Sequence, residues 1–382
     1  MKHVFTTILV FALVATMCTG SAWGADAKSN RDLLRSRTSA EGQAARARIN
    51  SAQASTPAAA NKTLAATVYV NAAWVGATGD PDLTGPATAM GIDAFASIQE
   101  GIDAVDAGGM VNVYPGAYSE TAANRFLYDG TGPYQFGLFF GNAKPGVTVR
   151  GVDVNGVPIT SAASTVATVA TNATNSFGYS GFFVEADNVT IQGLKIVDNV
   201  GGNNKTIEVI GDNVTIKDCW AAIAEEYGGA LYFNDWRYDA LNEVSYLKSY
   251  TVERNVLENG TSVDVASGAG KSGLASGRVI RDNTFNIPLG SNWALVSFSG
   301  AVPGIGWFLY PVGGAVITGN TFNGGEEHII RARGTYDNAQ FDWASYWSNN
   351  TYSRKVAFGT NPPAALGVFS YLSGAVTIPN VR

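Results

Sequence analysis

The 382-residue chain holds 31 Asp and Glu against 25 Lys and Arg, only 15% charged residues in all, and 44 Gly. Eight of the basic and three of the acidic side chains fall in residues 1 to 66, leaving 17 against 28 for the rest, and that acidic excess argues against a nucleic-acid partner, which needs a basic face. So few charges with so many glycines point to extended strands joined by tight turns rather than to exposed helices.

In chain order, Lys2 and His3 precede an apolar run from Val4 to Ala15, and small residues follow at Ala22, Gly24 and Ala25. Residues 1–25 therefore read as a secretory signal peptide, which implies export to the periplasm, the cell surface or the medium. The run is about a dozen residues, short of the roughly 20 that span a bilayer, and no later stretch is longer, so no transmembrane segment is expected. Cleavage would leave Cys219 as the sole cysteine and rule out an internal disulfide. Residues 26–66, rich in Ala, Ser and Arg without an apolar stripe, read as a solvated linker.

The expected folded domain spans 67–382 and opens with the alternating strand TVYVNAAW and a turn-rich loop, GATGDPDLTGPATAMG. Phe95, Ile98, Ile102 and Val105 then fall at helical spacing, with Gly108 and Gly109 as the stop. This short helix precedes the strand MVNVYPGAY and is suited to cover the open end of a stack of strands.

An internal repeat dominates the rest of the chain. GVTVRGVDV, NVTIQGLKI, NVTIKDCWA, SYTVERNVL, GRVIRDNTF, GAVITGNTF and ASYWSNNTY share one template, with an apolar anchor three positions before a turn residue and another side chain two positions after it. The anchors are Val149, Ile191, Ile216, Val252, Ile280, Ile317 and Trp347, spaced 42, 25, 36, 28, 37 and 30 residues apart. Such irregular spacing fits coils of short parallel strands with loops of variable length between them, each coil burying its inward side chains by stacking on the next. In the last four copies the turn residue is Asn255, Asn283, Asn320 or Asn350, and stacked copies would form an amide ladder. Asn is also expected there because it tolerates left-handed backbone angles. An antiparallel sandwich would instead show hairpins with two-residue turns. The expected class is thus all-β, a single-stranded right-handed parallel β-helix with a short N-terminal capping helix.

The segment FASIQEGIDAVDAGGMVNVYPGAYSE, with the rungs NVTIQGLKI, RDNTF and TGNTF, resembles the pectate-lyase-like superfamily of right-handed parallel β-helices over about residues 67 to 355. The resemblance implies the fold; one such scaffold carries lyases, glycosidases, esterases, tailspikes and noncatalytic surface proteins. The WIDH segment of pectate lyases and the NTD, GHG and RIK elements of polygalacturonases are missing, so no catalytic residue carries over.

Two stretches hold groups suited to work on an acidic polysaccharide, where a cation must neutralise the uronate and a base must take a proton. In AEEYGGALYFNDWRYD the candidate catalytic groups are Glu225, Glu226, Asp235, Arg237 and Asp239, with Trp236 and Tyr238 to stack on sugar. The bland alternative is a solvated insertion. In GGEEHIIRARGTYD, His328 is the only histidine outside the signal and a candidate proton carrier. Strand alternation puts Arg331 and Arg333 on one face to clamp a carboxylate, and His328 on the other; the bland alternative is an ion-paired outer face. No cofactor is demanded. Calcium is admitted as a bridge between carboxylates, and Asp80 and Asp82 are either such ligands or ordinary turn acids. Two readings stay open: a polysaccharide-recognising protein with lyase or glycosidase chemistry, and a noncatalytic cell-surface or structural protein.

Overall fold

The computed structural model describes residues 64–121, 123–130, 132–172, 181–200, 205–222, 230–235, 237, 246–258, 261–267, 277–287, 296–302, 306–307, 315–324, 328–333, 343–353, 356–361 and 365–371. The expected signal peptide and linker lie outside these residues, apart from the last three linker positions. Among the described residues no helix is long and apolar enough to cross a membrane.

The chain coils through three sheets in turn. One coil, for example, runs Val214–Lys217 in the first sheet, Trp220–Ala222 in the second and Ala230–Asn234 in the third, and returns to the first at Tyr250–Glu253. Among the described residues the sheets hold nine, eight and ten strands on their main paths, and the pairings between successive coils are parallel, giving a right-handed parallel β-helix.

Six of the seven predicted anchors form a single column, which also takes in Val68 and Val111. Val68, Val111, Val149, Ile191, Ile216, Val252, Ile280 and Ile317 are in register through the first sheet, each at most 1% exposed. Ile196, Ala221, Leu257, Phe285 and Phe322 form the matching column of the second, with the Phe285 and Phe322 rings stacked 4.8 Å apart. Leu138, Phe182, Ile207, Leu231, Val263, Val296 and Ile330 face them from the third. Stacking identical positions lets each apolar side chain bury against its counterparts above and below, which no isolated coil can do.

Two copies depart from the template. After Val152 the first copy leaves the stack, so Val154 is 75% exposed and Val169 takes its place beside Ile196. In the last copy the expected anchor Trp347 lies in a helix, α2 (Trp343–Ser348), whose Tyr346 hydroxyl donates to Ala315 O at 2.6 Å beside the end of the first sheet. Asn350 nevertheless keeps its place. Asn255, Asn283, Asn320 and Asn350 are all buried; each of the first three amides donates to the next side-chain oxygen at 2.9–3.0 Å, and Asn350 ends the ladder on Ile317 O and Tyr346 O. The left-handed residue is not the Asn but the one before it: Asp218, Arg254 and Asp282 have φ of 57°, 54° and 57°, while Gly193 and Gly319 take the same place at 66° and 68°. The corner is thus divided between a residue that turns the backbone and a residue that fills the inside of the turn. Cys219 heads the Asn column, donating its amide to Asn255 Oδ1 at 2.9 Å, and burial pushes its thiol up to about 12, so it serves as a small buried side chain.

The helix α1 (Ile98–Ala104) forms as expected but ends earlier, because Val105 begins the strand Val105–Val113 and Phe95 belongs to the strand Ala94–Phe95. The first strand also starts sooner, at Ala65. Ser97 Oγ caps Glu100 N, and Glu120 Oε1 accepts from Ile98 N at 2.7 Å. Ile98 and Ile102 are fully buried in the core. Gly101 is needed for close approach, since a Cβ there would meet Val70 Cγ2 at 2.8 Å. Gln99 does what a further strand would do at the first strand of the third sheet: its Oε1 accepts from Phe139 N at 2.7 Å and its Nε2 donates to Phe139 O at 3.2 Å. At the other end an unanticipated antiparallel pair, Val356–Asn361 and Ala365–Tyr371, extends the third sheet beyond His328–Arg333.

Outside the corners of the first sheet, charges are paired. Arg254 bonds Asp218 Oδ1 at 2.8 Å and Glu253 Oε1 at 2.9 Å, and Arg281 Nε bonds Glu253 Oε2 at 2.7 Å. Burial raises the Glu253 carboxyl, but the Arg281 and Arg254 contacts outweigh it and hold it below the usual range. A depressed folded-state value stabilises the fold above the unfolded value, about 4.3, and that stability is lost as pH falls through the folded value. The melting temperature of Glu253→Gln should therefore trail wild type near neutrality and converge on it as pH falls from about 6 to about 3. A constant gap across that range would show that the pair contributes nothing through its charge.

Candidate functional site

The two sequence-predicted stretches, nearly a hundred residues apart in the chain, meet on one sheet. Ala230–Asn234 and His328–Arg333 are both strands of the third sheet, with only Ser262–Ser267 and Val296–Val302 between them. Three strand spacings separate them, about 14 Å. Their register lines up side-chain positions across the sheet. Ile207, Leu231, Val263, Val296 and Ile330 are core positions, so Glu208, Tyr232, Asp264, Ser297 and Arg331, one residue on in each strand, share the opposite parity. The row continues in the other direction to Phe183 and Phe139. One further row along, Asn234, Ala266, Ser299 and Arg333 are aligned. His328 has the parity of the buried Ile330, with a register irregularity between the two in their pairing to Ala365–Tyr371. His328, Arg331 and Arg333 are placed by backbone and register alone.

At the described end of this row the carboxylate of Glu208 is 1% exposed, accepts from Asn234 Nδ2 at 3.1 Å and lies 3.6 Å from Lys205 Nζ. The same Lys205 ammonium sits 4.0 Å from the centre of the Tyr232 ring. Glu208, Asn234, Lys205 and Tyr232 thus form a compact polar cluster outside the helix wall, none of them singled out by the sequence.

Of the predicted groups in the first stretch, Asp235 and Arg237 are described, and both are engaged with the protein. Buried Asp235 accepts the amides of Tyr246 and Leu247 through Oδ1 at 3.0 Å each, joining the two ends of the segment between them. The Arg237 guanidinium lies between two rings, 4.4 Å from the centre of Tyr128 and 4.7 Å from that of Tyr246. It donates to Glu185 O at 2.7 Å and stands 3.8 Å from Asp187 Oδ1, while the Tyr246 hydroxyl donates to Asp187 Oδ2 at 2.7 Å. Glu185 accepts from Tyr128 N and, through Oε2, from Asn142 N at 3.0 Å. Burial raises its carboxyl above the usual range, more than those two amides and the Arg237 charge lower it. Glu225, Glu226, Trp236, Tyr238 and Asp239 lie outside the described residues.

The excursion between the strands Gly116–Thr121 and Leu138–Phe140 forms one wall. Ala123–Arg125 and Tyr134–Phe136 pair as an antiparallel hairpin. Leu127, Tyr134 and Phe136 pack on Phe139 and Phe183, outward side chains of the first two strands of the third sheet, and on Ile210 just after the third. The Phe136 ring stacks on Phe183 at 4.3 Å and on Phe139 at 5.5 Å.

Asp80 and Asp82 act as turn acids: Asp80 Oδ1 accepts from Asp82 N and Leu83 N, and Asp82 Oδ2 from Ala87 N. Among the described residues no three His, Cys, Asp or Glu side chains come together as metal ligands would.

No family model matches the chain, and no curated protein matches it. Among solved structures it is similar to Escherichia coli YbhC, at 12% identity over 69% of this chain and 68% of that one, with a TM-score of 0.40. It is also similar to pectin methylesterase from Aspergillus niger, at 11% identity over 75% and 86% of the two chains, TM-score 0.34. A third similar structure is the tailspike protein of E. coli bacteriophage HK620 in complex with a pentasaccharide, at 10% identity over 68% of this chain and 40% of that one, TM-score 0.32. None of these likenesses lends a residue role to this chain, whose fold rests on its own strand register.

Proposed function

We propose that this is an exported protein that recognises an acidic polysaccharide along the outer face of the third sheet. The observation that carries the reading is the register row Glu208, Tyr232, Asp264, Ser297, Arg331, with Asn234 and Arg333 beside it. Hydrogen-bonding residue types recur there once per strand, about every 4.8 Å, which suits an extended polymer of repeating units better than a compact ligand. Arg331 and Arg333 supply the cations for a uronate or sulfate, since a guanidinium meets an oxyanion bidentately. Half-buried Tyr232 is a group of the kind that moves protons in lyase chemistry, with the buried Glu208 beneath the face beside it. The signal-like N-terminus supports export, and calcium bridging remains part of the reading to be tested.

Calorimetry against polygalacturonate, alginate and sulfated glycans, with and without calcium, tests the proposal. Wild type is expected to bind at least one of them, and Arg331→Ala to weaken that binding roughly 10- to 100-fold, the loss of one charge-assisted contact, with an unchanged melting temperature. Assays of unsaturated-product absorbance and reducing ends on the same samples separate a lyase or glycosidase from a binding protein. Equal affinity of wild type and Arg331→Ala would remove this face from the site, and binding to none of the panel would favour a noncatalytic structural role.

A further inference from the structure

We propose that the 123–136 hairpin closes one end of this face, so that the protein takes the end of a polysaccharide chain rather than its middle; the inference rests on the polysaccharide reading above. The row that begins at Glu208 has Phe183 as its next position and Phe139 beyond that. Both rings are covered by the hairpin: Phe183 is fully buried, Phe139 is 9% exposed, and Phe136 stacks on both. The hairpin layer occupies the surface on which an extended sugar chain following the row would lie. A chain following the row toward Phe183 therefore meets the wall at the strand of Glu208, where Glu208 is itself 1% exposed and the nearby Ile210 belongs to the hairpin's cluster.

The wall is held from several sides. Arg125 pairs with Asp103 of α1 at 3.0 Å. The buried Glu185 carboxylate accepts the amides of Tyr128 and Asn142, one at the tip side of the hairpin and one after it. The Arg237 guanidinium stacks on the Tyr128 ring and bonds the Glu185 carbonyl. The Arg125–Asp103 pair, the linked Glu185–Tyr128–Arg237 contacts and an apolar underside make it a fixed boundary of the face. Arg237 and Glu185 are then positioning residues: they hold the boundary, and neither needs to touch the sugar.

A closed end fixes the stoichiometry of binding. Polygalacturonate and alginate fractionated into short, medium and long chains would be titrated with the full-length protein at equal molar concentration of chains. The expected result is one protein bound per chain at every length. A bound number that rises with chain length would overturn the inference and leave the polysaccharide reading standing, whereas binding to no fraction would reject that reading and this inference with it. In a second variant, residues 124–135 are replaced by a short Gly-Ser link. If it melts cooperatively, its bound number should rise with chain length, and one protein per chain would again overturn the proposal. If it does not fold, the wild-type stoichiometry decides.

Discussion

Ile280→Asp is expected to leave no cooperatively folding protein. Ile280 is fully buried between Val252 and Ile317 in the first-sheet column, and the buried Arg278 on the same strand already donates to Lys248 O and Leu247 O. An unpaired carboxylate there must either be desolvated or be protonated at a strongly raised pKa, and either costs several kcal/mol. The lost isoleucine contacts add about 2–4 kcal/mol. Together these approach the whole stability of a typical domain, about 5–15 kcal/mol. In a solenoid each coil is stabilised by its neighbours, so the defect also withdraws support from the coils on both sides. Thr251, half-buried and of opposite parity to Val252, supplies the control: Thr251→Asp should melt within a few degrees of wild type. Circular-dichroism melts of the two variants decide it, and a near-native transition for Ile280→Asp would mean that the strand register is wrong.

The register was legible in the sequence because a parallel β-helix repeats chemistry at fixed positions even when its loops vary. Anchor, corner and following side chain sit on two adjacent short strands with a tight corner between them, so the spacing within a copy is conserved while the spacing between copies is not. The third sheet left no such trace. Lys205–Val209, Ala230–Asn234 and Ser262–Ser267 lie between loops of unequal length and share no turn residue with their neighbours. The antiparallel pair at the end of that sheet occurs once, and a single occurrence has no period. The corner chemistry was half legible: Asn marked the turn, but the position that needs φ near +60° is filled by Asp, Arg or Gly, a mixture that carries no pattern.

The candidate site shows the same limit. Asp235, Arg237, Arg331 and Arg333 stood out as charges grouped with aromatics, and the topology brings both groups to one sheet. Residue type alone did not reveal that Asp235 and Arg237 are spent on backbone amides, tyrosine rings and Glu185. Glu208 and Glu185 are embedded in apolar runs, IEVI and FFVEA, where alternation and burial hide a single acid until the neighbouring strand is known. Lys205 acquires meaning only through Glu208 on its own strand, Asn234 through the same carboxylate from the neighbouring strand, and Tyr128 through Arg237 from a distant part of the chain.

Asn283→Ala is expected to cost roughly 4 kcal/mol, far more than the same change a few residues away. Asn283 Oδ1 accepts from both the backbone and the side-chain nitrogen of Asn255 at 3.0 Å, and its Nδ2 donates to Val252 O at 2.9 Å and Asn320 Oδ1 at 3.0 Å. Alanine leaves Asn255 N and Nδ2 without this acceptor and Val252 O without this donor, at a corner that is 1% exposed. Each buried polar group so abandoned costs about 1–3 kcal/mol, because water cannot replace the partner. Asn286 stands in a second amide ladder on the outer face of the second sheet: it donates to Glu258 Oε1 at 3.3 Å and accepts from Asn323 at 3.0 Å. That ladder is half-exposed, so water takes over its bonds, and Asn286→Ala should cost less than about 1 kcal/mol. Urea titrations of both variants give the comparison directly, as a shift in midpoint at constant slope. Equal losses would mean that the inner ladder contributes only what a solvated one does, and that the corners are held by the apolar columns alone.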